Sequence, residues 1–180
     1  TATGELSKVE VASGRKTVVK TLKTALDNLA ISPDGTVYVS NMADNSIESI
    51  DPATGAVKVL TRGALAVPSG VKVAGGTLWV ADIFSYRKVD LASGAVSDVM
   101  RMHGEGVVME YPFAVGLSDK LVVLASWFTG TVQVLDRATN KTLAMTHGWK
   151  APYDALPLAD GSLLVAEIAD IHSKIALIEQ

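Results

Sequence analysis

The sequence predicts an all-β chain assembled from repeated four-stranded sheets. Three observations predict it: one turn signal recurs along the chain, a second interleaves with it at the same period, and the runs between them have strand chemistry. The first signal is an acidic residue, two spacers, a small hydroxyl residue, then Gly or Asn. It reads Glu10-Val-Ala-Ser-Gly14, Asp51-Pro-Ala-Thr-Gly55, Asp90-Leu-Ala-Ser-Gly94 and Asp136-Arg-Ala-Thr-Asn140. The closing positions lie 41, 39 and 46 residues apart. Gly adopts a left-handed backbone freely there and Asn tolerates it, while the acid can accept N–H groups of its own turn.

The second signal reads Ser32-Pro-Asp-Gly35, Ala74-Gly-Gly76, Ser118-Asp-Lys120 and Ala159-Asp-Gly161, with last positions 41, 44 and 41 apart. It is followed by the runs Thr36-Val-Tyr-Val-Ser40, Thr77-Leu-Trp-Val-Ala81, Lys120-Leu-Val-Val-Leu-Ala125 and Ser162-Leu-Leu-Val-Ala166. These are almost continuously apolar, as expected of strands buried on both faces. Second strands are therefore expected near 36–40, 77–81, 121–125 and 162–166. Ser46–Ile50 and Thr131–Leu135 alternate, as half-exposed third strands should. Ala56–Leu60 and Arg15–Val19 suit outer strands. Lys16–Asn28 has a helix-like pattern, but it overlaps an outer-strand position of the repeat, so no helix is expected there.

Four short strands in a period of about 40–45 residues are the signature of a β-propeller blade. Thr3-Gly4-Glu5-Leu6 aligns with Thr129-Gly130-Thr131-Val132, the turn into a third strand. Residues 1–25 then supply a third and a fourth strand, 26–63, 67–103 and 111–148 are blades, and 152–180 is a blade lacking its outer strand. Residues 1–25 could complete that last blade and close a four-bladed ring. The duplicated third strand instead favours a segment of a larger, six- to eight-bladed propeller, which would self-associate or pack against the remainder of a longer chain.

Composition narrows the partners. The 180 residues carry 16 basic and 19 acidic side chains, a net charge of −3, which is the wrong sign for nucleic acid. With 48% hydrophobic residues the chain is no disordered polymer. The absence of cysteine excludes disulfides, thiolate zinc sites and cysteine nucleophiles. No apolar run is long enough for a membrane span. The start at Thr1, with neither Met nor leader-like segment, reads as trimmed or processed.

Tyr38–Gly55 resembles the YVTN-type repeat of surface-layer-like proteins, and Gly130–Lys141 followed by Ala151-Pro-Tyr-Asp154 resembles it again. Asn28-Leu-Ala-Ile-Ser-Pro-Asp-Gly35 resembles the first-strand segment of NHL and gluconolactonase-like (SMP-30) propellers. The resemblance spans nearly the whole chain and implies the propeller fold. A bacterial protein in an extracytoplasmic location, periplasmic or secreted, is favoured. In such folds activity resides in sites grafted on the scaffold.

Aligning the repeats places Asn28, Gly70, Ala114 and Asp154 at the start of the first strand. Asn41, Asp82, Ser126 and Glu167 fall at the end of the second. Both positions face the axial funnel of a propeller. Asn28, Asp154 and Glu167 are thus candidate ligands of Ca, Mg or Mn, with Asn41, Asp82 and Ser126 on the same rim. The gluconolactonase resemblance implies a metal polarising a carbonyl while a carboxylate activates water. Two departures weaken it: the family's early Glu before Gly-Pro has no counterpart, and its Asn-Gly is Asn28-Leu29 here. The bland alternative is that these polar residues hydrogen-bond the loops between blades. Phe84, Tyr86, Trp149 and Tyr153 are aromatic binding candidates, whereas Trp127 is expected to plug the space between blades.

The three histidines, His103, His147 and His172, fall at different phases, so no joint zinc site is expected. Lys8, Arg15, Lys16, Lys20 and Lys23 read as a charge-protected edge. Two functions follow. One is a non-catalytic propeller binding a protein, peptide, glycan or small molecule through its loop face. The other is a metal-dependent lactonase or hydrolase.

Overall fold

A computed structural model of the chain describes residues 3–104, 108–169 and 172–178. Among these the chain forms seventeen strands and no helix. The strands make five antiparallel sheets in chain order. The first holds β1 (Glu5–Val9) and β2 (Lys16–Thr21). Three four-stranded sheets follow: β3 (Leu26–Ile31), β4 (Val37–Asn41), β5 (Ser46–Ile50) and β6 (Val57–Arg62); β7 (Val71–Ala74), β8 (Thr77–Asp82), β9 (Ser85–Asp90) and β10 (Val96–Arg101); β11 (Ala114–Leu117), β12 (Leu121–Ser126), β13 (Thr131–Asp136) and β14 (Thr142–Thr146). The last sheet contains β15 (Pro152–Pro157), β16 (Leu163–Ala169) and β17 (His172–Ile178). The Lys16–Asn28 stretch is divided between β2 and β3, as the repeat phase required.

The recurring turn is the same object four times over. The N–H of Gly14, Gly55, Gly94 and Asn140 each donates to the carbonyl of the acid four residues earlier, at 2.8 Å in every case. The closing residue has φ between 58° and 74° in all four. In three of them the aspartate also accepts an N–H of its own turn: Ala53 on Asp51, Ser93 on Asp90 and Thr139 on Asp136, at 2.7–2.8 Å. This turn joins β1 to β2, β5 to β6, β9 to β10 and β13 to β14.

Packing between sheets explains why the second strands lack a polar face. Side chains alternate along a strand, so β8 sends Leu78 and Val80 toward the preceding sheet and Trp79 and Ala81 toward the following one. β12 divides Val122 and Leu124 from Val123 and Ala125 in the same way. Leu78, Val80, Val122 and Val123 are fully buried. Removing each from water contributes roughly 1.5–3 kcal/mol. The core is therefore a series of thin apolar layers between neighbouring sheets, not one central mass.

Near the axis the first strands approach closely. Gly70 N–H donates to the carbonyl of Phe113 in the next blade at 2.7 Å. A Cβ on Gly70 would meet Ala114 Cα and Phe113 O at 2.7 Å, closer than atoms can pack. Gly116 faces the Ala155 carbonyl under the same restriction.

Among the described residues β17 pairs with β16 alone, and β1 and β2 form a separate sheet. None of the sheet pairings joins the first sheet to the last.

Candidate functional site

The ends of the second strands hold a repeated polar device. Asp82 is fully buried, and its carboxylate accepts the N–H of Ala66 at 2.9 Å and of Val67 at 2.7 Å. Arg87 Nε lies 3.0 Å from it and 3.3 Å from Asp98. Burial pushes the Asp82 carboxyl above its usual range, against the pull of the two N–H groups and Arg87. Glu167 accepts the N–H of Lys150 at 2.6 Å, and Asn41 accepts the hydroxyl of Thr24 at 3.2 Å. Each of these residues holds the loop that leads into its own blade. Ser126 occupies the same place, and its hydroxyl is buried without a hydrogen-bond partner among the described residues.

The expected metal ligands do not assemble. Asp154 pairs with Ala166 and Pro152 with Glu167. Adjacent residues of a strand point to opposite faces, so the carboxylates of Asp154 and Glu167 leave the sheet on opposite sides. The cause is a bulge that inserts Tyr153 as an extra residue in β15. Asp154 Oδ1 accepts the N–H of Ala155 at 2.9 Å, and Asn28 Oδ1 that of Leu29 at 2.8 Å. One oxygen of each is thus engaged by backbone near itself, and the carboxylates of Asp154 and Glu167 do not meet on one face of the sheet. Among the described residues no three His, Cys, Asp or Glu side chains come together.

What does assemble at the axis is a pocket of about 170 Å³. Its wall draws on Asp27 and Asn28 of β3, Ser69 before β7, Phe113 and Ala114 of the third complete blade, and Tyr153 of β15. Met42 and Trp127 enter from the turns after β4 and β12. Asp27 Oδ2 accepts the Ser69 hydroxyl at 2.7 Å, which ties two blades at the same phase of the repeat. β3 has a bulge between Leu26 and Leu29, at the place where β15 has one, and β7 and β11 pair without any. The extra residues at these bulges aim Asp27 and Tyr153 into the funnel.

A run of aromatic rings leads away from this pocket. Trp127 stacks on Phe128 with centroids 4.0 Å apart, Phe113 lies 5.2 Å from Trp127 and 4.8 Å from Phe128, and Tyr111 joins Phe128 to Phe84 at 6.4 and 6.1 Å. Phe84, Trp127, Phe128 and Tyr153 are 49, 40, 57 and 55% exposed.

Two expectations are corrected here. Tyr86 is fully buried, stacked on Trp79 at 5.7 Å, and burial pushes its hydroxyl far up, so it is a core ring with no face for a ligand. Trp127 does not plug the blades: its repeat phase sets it beside the funnel, half in solvent. Trp149 is half-buried, donates its indole N–H to Thr146 at 2.8 Å and packs against the core between the last two sheets. Asp27, Tyr111 and Phe113 were not legible as site residues. A bulge is invisible to an alignment that assumes constant strand length, and Asp27 precedes the aligned Asn28. His103 and His147 are exposed, while the side chain of His172 lies outside the described residues.

No protein-family model matches the sequence, and no curated protein does. Solved structures match throughout. A catalytically inactive virginiamycin B lyase from Staphylococcus aureus, crystallised with quinupristin, superposes with a TM-score of 0.71 at 17% identity, over 99% of this chain and 64% of that one. A streptogramin B lyase gives 0.70 at 15% identity, over 90% and 55%. The nidogen/laminin complex gives 0.69 at 17% identity, over 81% and 56%. The fold is a β-propeller. The chain spans roughly half to two thirds of the length of these three propellers, and the sheets described above are blades. At such identities the likeness concerns the fold alone. The neighbours themselves include a lyase and a protein complex, so the propeller scaffold does not choose between catalysis and binding.

Proposed function

We propose that this propeller is a non-catalytic binding module that recognises a protein, peptide or glycan through its funnel face. One observation carries the reading: the contiguous run Phe84–Tyr111–Phe128–Phe113–Trp127, exposed at every ring but the half-buried Phe113 and ending at the axial pocket. Exposed apolar patches of this kind on soluble proteins are characteristic of binding surfaces. Rigid rings lose little conformational entropy on binding and stack on peptide side chains or sugar faces alike. A hydrolytic role draws no comparable support, because the oxygen donors expected to hold a metal serve the loops and backbone beside them.

The test is a peptide and glycan array probed with the wild-type protein and with W127A and F128A variants. Both rings are substantially exposed, so the variants should melt like the parent. The expected result is array binding that falls at least tenfold in both variants. Metal-dependent turnover of lactones by the wild-type protein, with array binding absent, overturns the reading.

A further inference from the structure

We propose that the axial pocket is a receptor for an alkylammonium cation, the group carried by a lysine or methylated lysine side chain or by a free quaternary amine. The proposal rests on the funnel face being a binding surface and names the chemistry of its axial pocket.

Three features of the wall carry it. Its single acidic or basic side chain is Asp27; the other lining residues carry no charged group. Among the described residues no Lys or Arg forms an ion pair with Asp27, whose carboxylate accepts the Ser69 hydroxyl. Phe113 and Trp127 of one blade and Tyr153 of the next supply three rings around the same space. Phe128 covers one face of Trp127, so a ligand stacks on the other.

A ring face is negative and attracts a cation, and weakly hydrated ammonium groups lose least on leaving water for such a wall. A carboxylate beside the rings adds Coulomb attraction for the same sign of charge. It repels anions, and a neutral ligand gains no Coulomb attraction from it. The bulges in β3 and β15 strengthen the inference, because they deliver the carboxylate and one ring to the pocket from two different blades. Bulges commonly re-aim a side chain at a functional place. At about 170 Å³ the pocket suits a compact head group and excludes a whole residue chain.

The experiment is a calorimetric titration of the intact protein with three probes: choline, its neutral isostere 3,3-dimethylbutan-1-ol, and a short peptide bearing trimethyllysine. The variants are D27N, which keeps the acceptor for Ser69, and W127A. The expected result is binding of choline or the peptide, at least tenfold weaker binding of the isostere, and a D27N protein that no longer separates the two. Tighter binding of the peptide identifies a peptide-borne cation, and tighter binding of choline a free amine. Equal binding of choline and isostere, lost in W127A, overturns the cation proposal and leaves the funnel face as a neutral binding surface. No binding of any probe at millimolar concentration to folded protein overturns it as well, and the array then decides the broader reading. Binding retained in both variants places the cation elsewhere and likewise overturns it.

Discussion

Asp82 and Glu167 stand at the same point of two blades, and each carboxylate accepts backbone N–H from the loop that leads into its own first strand. Their burial differs: Asp82 is fully enclosed and paired with Arg87, whereas Glu167 is partly open to solvent. D82A leaves two N–H groups without their acceptor and takes from Arg87 one of its two carboxylates, which costs about 3–5 kcal/mol. E167A loses a partly solvated hydrogen bond, which costs about 1 kcal/mol. Urea unfolding of the two variants checks the order. Equal losses would show that the device is not governed by burial.

Gly70 is held by the approach of the next blade, not by its own backbone. A methyl group there meets the Ala114 backbone at 2.7 Å, and backbone cannot rotate aside. G70A is expected to cost roughly 1–3 kcal/mol by overpacking. Gly35, whose added Cβ would meet nothing within 4 Å, has φ +89°, so G35A is destabilising through strain alone. The pair separates the two causes. A G70A protein as stable as the parent would mean that the inner strands can spread.

Asn140 closes its turn with φ 58°, where Gly14, Gly55 and Gly94 close the other three, and its Oδ1 is buried without a hydrogen-bond partner among the described residues. N140G removes both the left-handed strain and the orphaned oxygen. The gain exceeds the extra chain entropy of glycine, and about 1 kcal/mol of stabilisation is expected. Thermal melts decide it, and a lower Tm would sink the account.

The turn carboxylates set the acid response. Hydrogen bonds hold several below the usual value of 3.8: the Ser32 hydroxyl on Asp34, the Ala53 N–H on Asp51, and the hydroxyls of Ser93, Thr139 and Ser162 on Asp90, Asp136 and Asp160. A depressed folded value means that the unfolded chain binds more protons near and below that pH. Their stabilisation is therefore complete above the unfolded value and is lost as pH falls through the lowered one. Asp82 works with the opposite sign, since burial raises its folded value; its share of stability declines as pH rises from 3.8 toward that value. The urea midpoint of the wild type should drop on acidification below about pH 4. A D51N/D90N/D136N protein should show a flatter drop, and D82N a steeper one. A triple variant with the parental slope would contradict the assignment.

The sequence by itself determined the blade. Turn chemistry is local: an acid, a hydroxyl and a residue tolerant of positive φ close the same hairpin wherever they occur, so the period was legible from composition at fixed offsets. The unbroken apolar character of Leu78–Ala81 and Leu121–Ala125 was legible too, because a strand between two neighbours has no face left for water. The shared phase of Asn41, Asp82 and Glu167 was also readable, though not their service to loops, which depends on where the preceding chain returns. Only the tertiary structure decided the rest. One inserted residue in β15 turned Asp154 away from Glu167, because side-chain direction in a strand reverses with every residue. Another in β3 aimed Asp27 at the axis. Tyr86 and Phe84 are two residues apart in sequence, yet one is enclosed between blades and the other reaches solvent. That difference is set by the neighbouring sheet, and no local pattern records it.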